Sequence, residues 1–322
     1  MVVVAVAGGT GNVGRTIVEA LLATAKHEVL ILGRKINSKL STELGVPIIA
    51  VDYTDVDALA KILEDNKIDV VISALTMLPS PNGDGPYEIE LIRAADKSVT
   101  TKRFISSDWT FPVTENIDIC WESRHIPKLS SVKPKLEAEE ELKNATSLET
   151  TKFYNGYFLD YWGLPKVKSH MPPMTLVLDI PHNMAAIPGI GDVPVVFTHT
   201  RDVARFVASS LDLKKWEPRY YIVGDRMTWN NFLHIVEEVK GTTFAVVHDS
   251  LEKLDQGEVT ELPGHRDLYQ ILPKEICKSL LSTFGFWFAD GSFNLQPEVS
   301  LNDIFPEIKT LTVREMIEEA WR

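Results

Sequence analysis

The stretch AVAGGTGNVGRTIVEALL, residues 5–22, decides the fold. An apolar run starting at Val2 enters a turn holding four glycines and leaves as a helical pattern, with Val13, Ile17, Val18, Leu21 and Leu22 on one stripe. Gly8, Gly11 and Gly14 spell GxxGxxG, and Gly9, Gly11 and Gly14 also satisfy GxGxxG. Either match alone is common; the strand before it and the helix after it give it weight. A turn made of Gly8, Gly9, Thr10, Gly11, Asn12, Val13 and Gly14 admits a pyrophosphate close to the backbone. It also sets the amino terminus of a helix against negative charge.

Outward from this turn the chain alternates. The apolar runs EVLIL (28–32), VPIIAV (46–51), DVVISAL (69–75), RFISS (103–107) and TTKFY (150–154) are separated by helical patterns. One of these places Val56, Leu59, Ala60 and Leu63 on a single face, with Thr54 or Asp55 in position to cap it. Further helices are expected near 87–97, after the Pro/Gly-rich loop 79–86, and near 132–145. Strands apolar on both faces and separated by helices require a parallel sheet covered on both sides, a doubly wound α/β (Rossmann) domain. Ligands bind at the carboxyl ends of such strands. Gly8–Gly14, Gly33–Lys35, Asp52, Leu75, Thr76, Met77 and Ser106–Trp109 should therefore converge on one crevice.

Beyond residue 155 prolines interrupt the rhythm, and GIGDVP (189–194) reads as a turn between strands. A helix through Trp229, Phe232, Leu233 and Val236 stops before Gly241, and Thr312 with Glu315 forms a capping box ahead of another. The division expected is 1–154 as a cofactor-binding Rossmann domain. Residues 155–322 form a smaller mixed α/β substrate domain, with some segments returning to the first sheet. FGFWFADGSF (284–293) reads either as a lid or as a satellite core cluster.

With 322 residues, 44% hydrophobic, 24% charged and a formal net charge of -12, the chain has the composition of a soluble globular protein. That charge argues against a nucleic-acid partner, whose phosphates select clustered lysine and arginine. Cys120 and Cys277 have no metal-like or CxxC spacing, and the eight histidines form no ligand pattern, so no metal is expected. MVVVAVAGG lacks the positive flank and cleavage site of a signal peptide and the length of a membrane span. A cytoplasmic location and no membrane partner are the expectation.

The end of the second strand selects the dinucleotide. A free ribose 2′-hydroxyl calls for an acidic residue there, yet the sequence has Gly33, Arg34 and Lys35. Arg34 can fork onto a 2′-phosphate with Lys35 and Lys39 as added charges. The plain alternative is a set of solvated surface cations.

Taken together, AGGTGNVG (7–14), LGRK (32–35), KRFISSDW (102–109), the lysine of SVKPK (131–135), NGYF (155–158) and VVFTHTRDVARFV (195–207) resemble the NmrA-like, isoflavone reductase-like branch of the atypical short-chain dehydrogenases. The resemblance spans nearly the whole chain. It implies NADP(H) as cofactor and, in the enzymes of the branch, reduction of small aromatic compounds. Ordinary short-chain dehydrogenases carry a tyrosine four residues before their active-site lysine, and Leu129 stands there. The branch keeps the lysine without the tyrosine, which makes Lys133 the acid/base group and a cofactor contact. Lys133 also has the spacing of a surface cation paired with Glu137, and because Pro134 confines it to the first helical turn, Lys135 is the alternative inward residue.

Ser106 and Ser107 end a strand where a hydroxyl faces cofactor or substrate, although serines there also cap turns. Trp109, Tyr157, Phe158 and Trp162 form either an aromatic wall for a flat substrate or ordinary packing. His125 either relays a proton or lies exposed. A rival reading of another class is a non-catalytic NADP(H)-binding redox sensor that regulates a protein partner. The presence of Lys133 favours the enzyme.

Overall fold

Strands whose side chains are apolar on both faces are stable only inside a sheet covered twice, and this sheet organises the first half of the chain. The computed structural model describes residues 1–77, 85–113, 132–270 and 272–322. In it β1 (Val3–Ala7) leads to α1 (Asn12–Thr24), β2 (Glu28–Gly33), α2 (Ser38–Leu44), β3 (Ile48–Ala50) and α3 (Val56–Asp65). β4 (Val70–Ser73), α4 (Glu88–Lys97), β5 (Arg103–Ile105), α5 (Val132–Asn144) and β6 (Glu149–Tyr154) follow. The spatial order is Arg219–Tyr221, β6, β5, β4, β1, β2, β3. β1 to β6 all pair in parallel. β1 lies between β2 and β4, so successive connections leave it in opposite directions, and the crevice of a doubly wound sheet opens at that point.

Local chemistry explains the boundaries. Asp55, not Thr54, caps α3 by accepting from the Ala58 amide at 2.9 Å, and Asn37 caps α2 through the Leu40 amide at 3.0 Å. One face of the sheet packs Ala5, Leu30, Leu32 and Phe104 against Leu59 and Leu63 of α3, Leu91 and Ile92 of α4, and Ala138 and Leu142 of α5. β5 stops at Ile105, two residues short of the RFISS run, where the Ser107 amide turns from the neighbouring strand to a buried carboxyl described below.

The described chain forms two compact units. Of the described residues, one takes those of Met1–Trp109, 132–154 and Val203–Tyr220; the other takes 110–113 and those of Asn155–Asp202 and Tyr221–Arg322. The second has two three-stranded sheets, one of Tyr157–Phe158, Pro194–Thr198 and Asp225–Thr228, the other of Leu178–Asp179, Met184–Pro188 and Ala245–Asp249. GIGDVP turns the chain from one of these sheets to the other, with Gly189 and Gly191 at φ of 60° and 78°. Helix Trp229–Lys240 stops at a left-handed Gly241, and Val313–Trp321 begins with the Thr312/Glu315 capping box. Between the lid and core readings of 284–293 the structure chooses core, since Phe288 and Phe293 are fully buried with their rings 4.9 Å apart. Among the described residues no helix is long and apolar enough to cross a membrane.

Candidate functional site

The turn after β1 is built almost entirely of backbone contacts. The Gly8 amide donates to Leu32 O at 3.2 Å and the Gly11 amide to Gly8 O at 2.9 Å. Three of the four glycines are required by internal packing. A Cβ on Gly8, which also has φ of +75°, would lie 2.6 Å from Ala74 O. On Gly9 it would meet Ile31 at 2.9 Å, and on Gly14 it would sit 2.3 Å from Gly8 O. Gly11 differs. Its φ of -91° suits any residue, and a Cβ there would have a single neighbour within 4 Å, Gly8 O at 3.3 Å. Gly11 is also the residue that caps α1, so no side chain caps that helix, and its first turn carries no acidic residue. Opening amides of this kind carry the positive end of the helix dipole.

Beside the turn, the end of β2 delivers Arg34 and Lys35 to the surface and the first turn of α2 carries Lys39, all exposed. Among the described residues none of the three side chains has a hydrogen-bond or ion-pair partner, in contrast to Arg15, which is held by Glu19 and Glu43. Tyr53 closes the floor below them: its hydroxyl donates to Leu32 O at 3.1 Å and its ring stacks on Tyr87 at 5.9 Å. Burial pushes its phenol well above the usual range. Asp52 turns onto Thr54, accepting from its hydroxyl at 2.7 Å and its amide at 2.9 Å, and these hydrogen bonds hold the carboxyl below its ordinary value.

Between the ends of β4 and β5 lies a residue that the sequence reading missed. Glu88, the first residue of α4, is 1% exposed. One carboxyl oxygen accepts from the Ser106 hydroxyl at 2.9 Å and the Ser107 amide at 2.8 Å, and the other is hydrogen-bonded to the Ser73 hydroxyl. The Ser107 hydroxyl in turn donates to Leu75 O at 2.7 Å, and the Trp109 indole donates to Ser73 O at 3.3 Å. Burial raises the Glu88 carboxyl above its ordinary range, and the hydrogen bonds from the three serines oppose that only in part. Leu75 and Ser106, both expected in the crevice, are thus bolted together.

The two lysines of SVKPK face opposite ways. The Lys133 side chain is 83% exposed, and its ammonium lies 3.5 Å from Glu137 on the same helix. Lys135 turns inward, with its ammonium 2.6 Å from Asp108, and the two side chains are 14% and 6% exposed. Lys152 of β6 pairs with Glu139 nearby. Ser106, Ser107, Asp108, Lys135, Glu139 and Lys152 contribute to the walls of a cavity of about 10 Å³, the size of one water position. The ion pairs that join α5 to the sheet therefore run through Lys135 and Glu139, not through Lys133.

In the second unit, Tyr157 and Trp162 lie in packed aromatic core. Tyr157 is ringed by Phe284, Phe288 and Phe293 at 5.1–5.6 Å, and Trp162 by Phe197, Trp229 and Phe232 at 5.2–5.8 Å. Phe158 is half-buried. Trp109, of the first unit, is half-buried and stacks on Phe153 at 5.7 Å. His125 and Leu129 lie outside the described residues. Among the described residues no cluster of His, Cys, Asp or Glu could hold a metal ion.

Sheet order and glycine turn together define a Rossmann-type α/β fold. The chain belongs to the NmrA-like family, whose model matches residues 2–304. It is 38% identical over 311 residues to oxidoreductase BOA1 of Botryotinia fuckeliana, covering 96% of each chain. It is 30% identical over 338 residues to oxidoreductase swnN of Metarhizium robertsii, covering 100% of this chain and 98% of the relative. Among solved structures, AtPrR2 with NADP+ and (+)pinoresinol superposes with a TM-score of 0.73 at 22% identity, covering 98% of each chain. At that identity the likeness is one of fold.

Proposed function

We propose that this chain is an NADPH-dependent reductase of a small aromatic metabolite, with residues 1–154 carrying the cofactor and 155–322 shaping substrate choice. The observation that carries the reading is Gly11. Among the described residues a Cβ at Gly11 would meet only Gly8 O, at a close but tolerable 3.3 Å, so internal packing asks for glycine less there than at the other three positions, and the uncapped start of α1 suits a pyrophosphate lying over it. Arg34 and Lys35, exposed and uncommitted to described side chains, suit a 2′-phosphate, to which a carboxylate at that position would be repulsive. Leu75, Thr76, Ser106 and Asp52 complete the contacts proposed for the crevice.

Bound NADPH supplies the hydride. The protein must then bring a proton to the substrate, and Lys133 is the group proposed for it. Lys135 is tied to Asp108, whereas the exposed pair of Lys133 with Glu137 costs little to break, about 0.5 kcal/mol. An aromatic substrate is supported by the pinoresinol bound to AtPrR2.

A second reading, a redox sensor without catalysis, draws on the exposure of Lys133 and on the packed state of Tyr157 and Trp162. One experiment separates the two. NADPH oxidation is followed with a panel of aromatic enones, quinones and phenylpropanoid-like compounds, alongside calorimetry with NADP+ and NAD+. Turnover of any member supports the reductase. Tight NADP+ binding with no turnover supports the sensor, and equal affinity for NADP+ and NAD+ refutes the cofactor assignment.

A further inference from the structure

We propose that Glu88 is a positioning residue for the nicotinamide half of the dinucleotide, joining the carboxyl ends of β4 and β5 into one fixed lip. The inference rests on the cofactor reading above. In a doubly wound sheet the adenosine half lies over the strands bearing the glycine turn and the 2′-site, here β1 and β2, which leaves the β4 and β5 side to the other half. That side holds a carboxyl with three hydrogen-bond donors on it and 1% exposure. Each donor belongs to a different part of the lip: Ser73 ends β4, Ser106 follows β5, and the Ser107 amide opens the segment leading to Trp109. Ser107 completes the link by donating to Leu75 O at 2.7 Å.

Among the described residues no salt bridge explains Glu88. The charged and titratable groups facing it are Asp108, beyond β5, and Tyr53, beyond β3, and neither compensates a buried negative charge. A carboxyl buried without a cation is expensive to keep ionised, and burial accordingly raises it. The residue is therefore suited to holding geometry. Ionisation would place a negative charge beneath the nicotinamide, which favours the cationic ring of NADP+ over the neutral ring of NADPH.

Two variants and two ligands test this. Glu88→Gln keeps the shape, with its carbonyl accepting from Ser106 and Ser107 and its amide donating to the Ser73 hydroxyl. Glu88→Leu keeps the bulk and deletes every hydrogen bond. Affinities for NADPH, NADP+ and the adenosine-half probe 2′,5′-ADP are measured as pH is raised from the ordinary carboxyl range upward, over the whole range in which the protein stays folded. The expected result is that Gln retains NADPH affinity within about 3-fold and Leu loses about 10-fold or more, while both bind 2′,5′-ADP as wild type does. The wild-type NADP+ to NADPH affinity ratio should rise with pH and be flat in Gln. A purely structural role would leave that ratio unmoved. Loss of 2′,5′-ADP affinity in step with NADPH, equal NADPH loss in Gln and Leu, or a pH-independent wild-type ratio overturns the proposal. If Glu88→Leu does not fold, the Gln affinities and the wild-type ratio decide alone. Failure of wild type to bind both NADPH and 2′,5′-ADP refutes instead the cofactor reading beneath it.

Discussion

Gly11→Val separates ligand approach from internal packing. Valine is at ease at φ of -91° and ψ of -173°, an extended conformation that suits a β-branched residue, and its Cβ would have one neighbour, at 3.3 Å. Losing glycine as the helix cap costs up to about 1 kcal/mol, which the reduced freedom of the unfolded chain offsets by about 0.4–1 kcal/mol. Gly8 O must also give by about a few tenths of an ångström, so the unliganded fold should lose no more than about 5 °C of melting temperature. The added methyl groups would occupy the space assigned to the pyrophosphate. Wild type with NADP+ at 100 times its Kd gains about 2.7 kcal/mol, a clear rise in Tm, and Gly11→Val should show none of it. Gly14→Ala is the control with the opposite signature. Its Cβ would lie 2.3 Å from Gly8 O and 2.8 Å from Gly8 C, backbone that cannot swing aside. Overpacking of that kind costs about 1–3 kcal/mol or more, so the apo Tm itself should fall. Melts of the three proteins with and without NADP+ provide the assay. A full NADP+-induced shift in Gly11→Val would refute the placement of the pyrophosphate.

Arg34→Ala should weaken NADP+ by about 1.5–3 kcal/mol, roughly 10- to 150-fold, and leave NAD+ unchanged in calorimetry. Lys133→Met should reduce turnover of a substrate by about 10²- to 10⁴-fold while leaving most NADP+ affinity in place, in steady-state and binding measurements. If Lys135→Met shows that loss and Lys133→Met does not, the inward lysine takes over the role. Glu88→Gln should alter the pH dependence of folding. A carboxyl raised on folding above its ordinary 4.5 contributes fully below that value and loses its contribution as pH rises through the raised one. Wild-type Tm should therefore decline across that window relative to the glutamine variant, and parallel Tm curves would contradict the burial argument.

The glycine turn, the six parallel strands and four of their helices were legible in the sequence because each carries a periodic apolar signal or a turn residue with a single conformational use, whereas α2 buries Leu40 alone and shows no stripe. Glu88 was not, because an acidic residue at a helix start reads as a partner of the helix dipole. Its signal was positional: Glu88 shares the apolar stripe of Leu91, Ile92 and Ala95, all buried. The lysines were undecidable for a geometric reason. Lys133 and Lys135 lie two residues apart, about 200° around a helix, so one faces inward whenever the other faces out. Which one does so depends on the helix's rotation, and Asp108 fixes that from 27 residues away. Tyr157 and Trp162 failed to declare themselves because an aromatic ring uses the same surface to pack in a core as to line a pocket.

The lip formed by Glu88 has a consequence for the timescales on which the crevice opens. Ser107 lies outside every strand, and in an ordinary loop its amide would exchange hydrogen with solvent through local fluctuation at little free-energy cost. Here that amide donates at 2.8 Å to a carboxyl that is itself almost inaccessible, and the side chain of Ser107 is pinned to Leu75 O. Exposing it means withdrawing the first turn of α4 from two strand ends at once. Its exchange therefore belongs to the cooperative unit of the central sheet, and this wall of the crevice moves with the core of its unit.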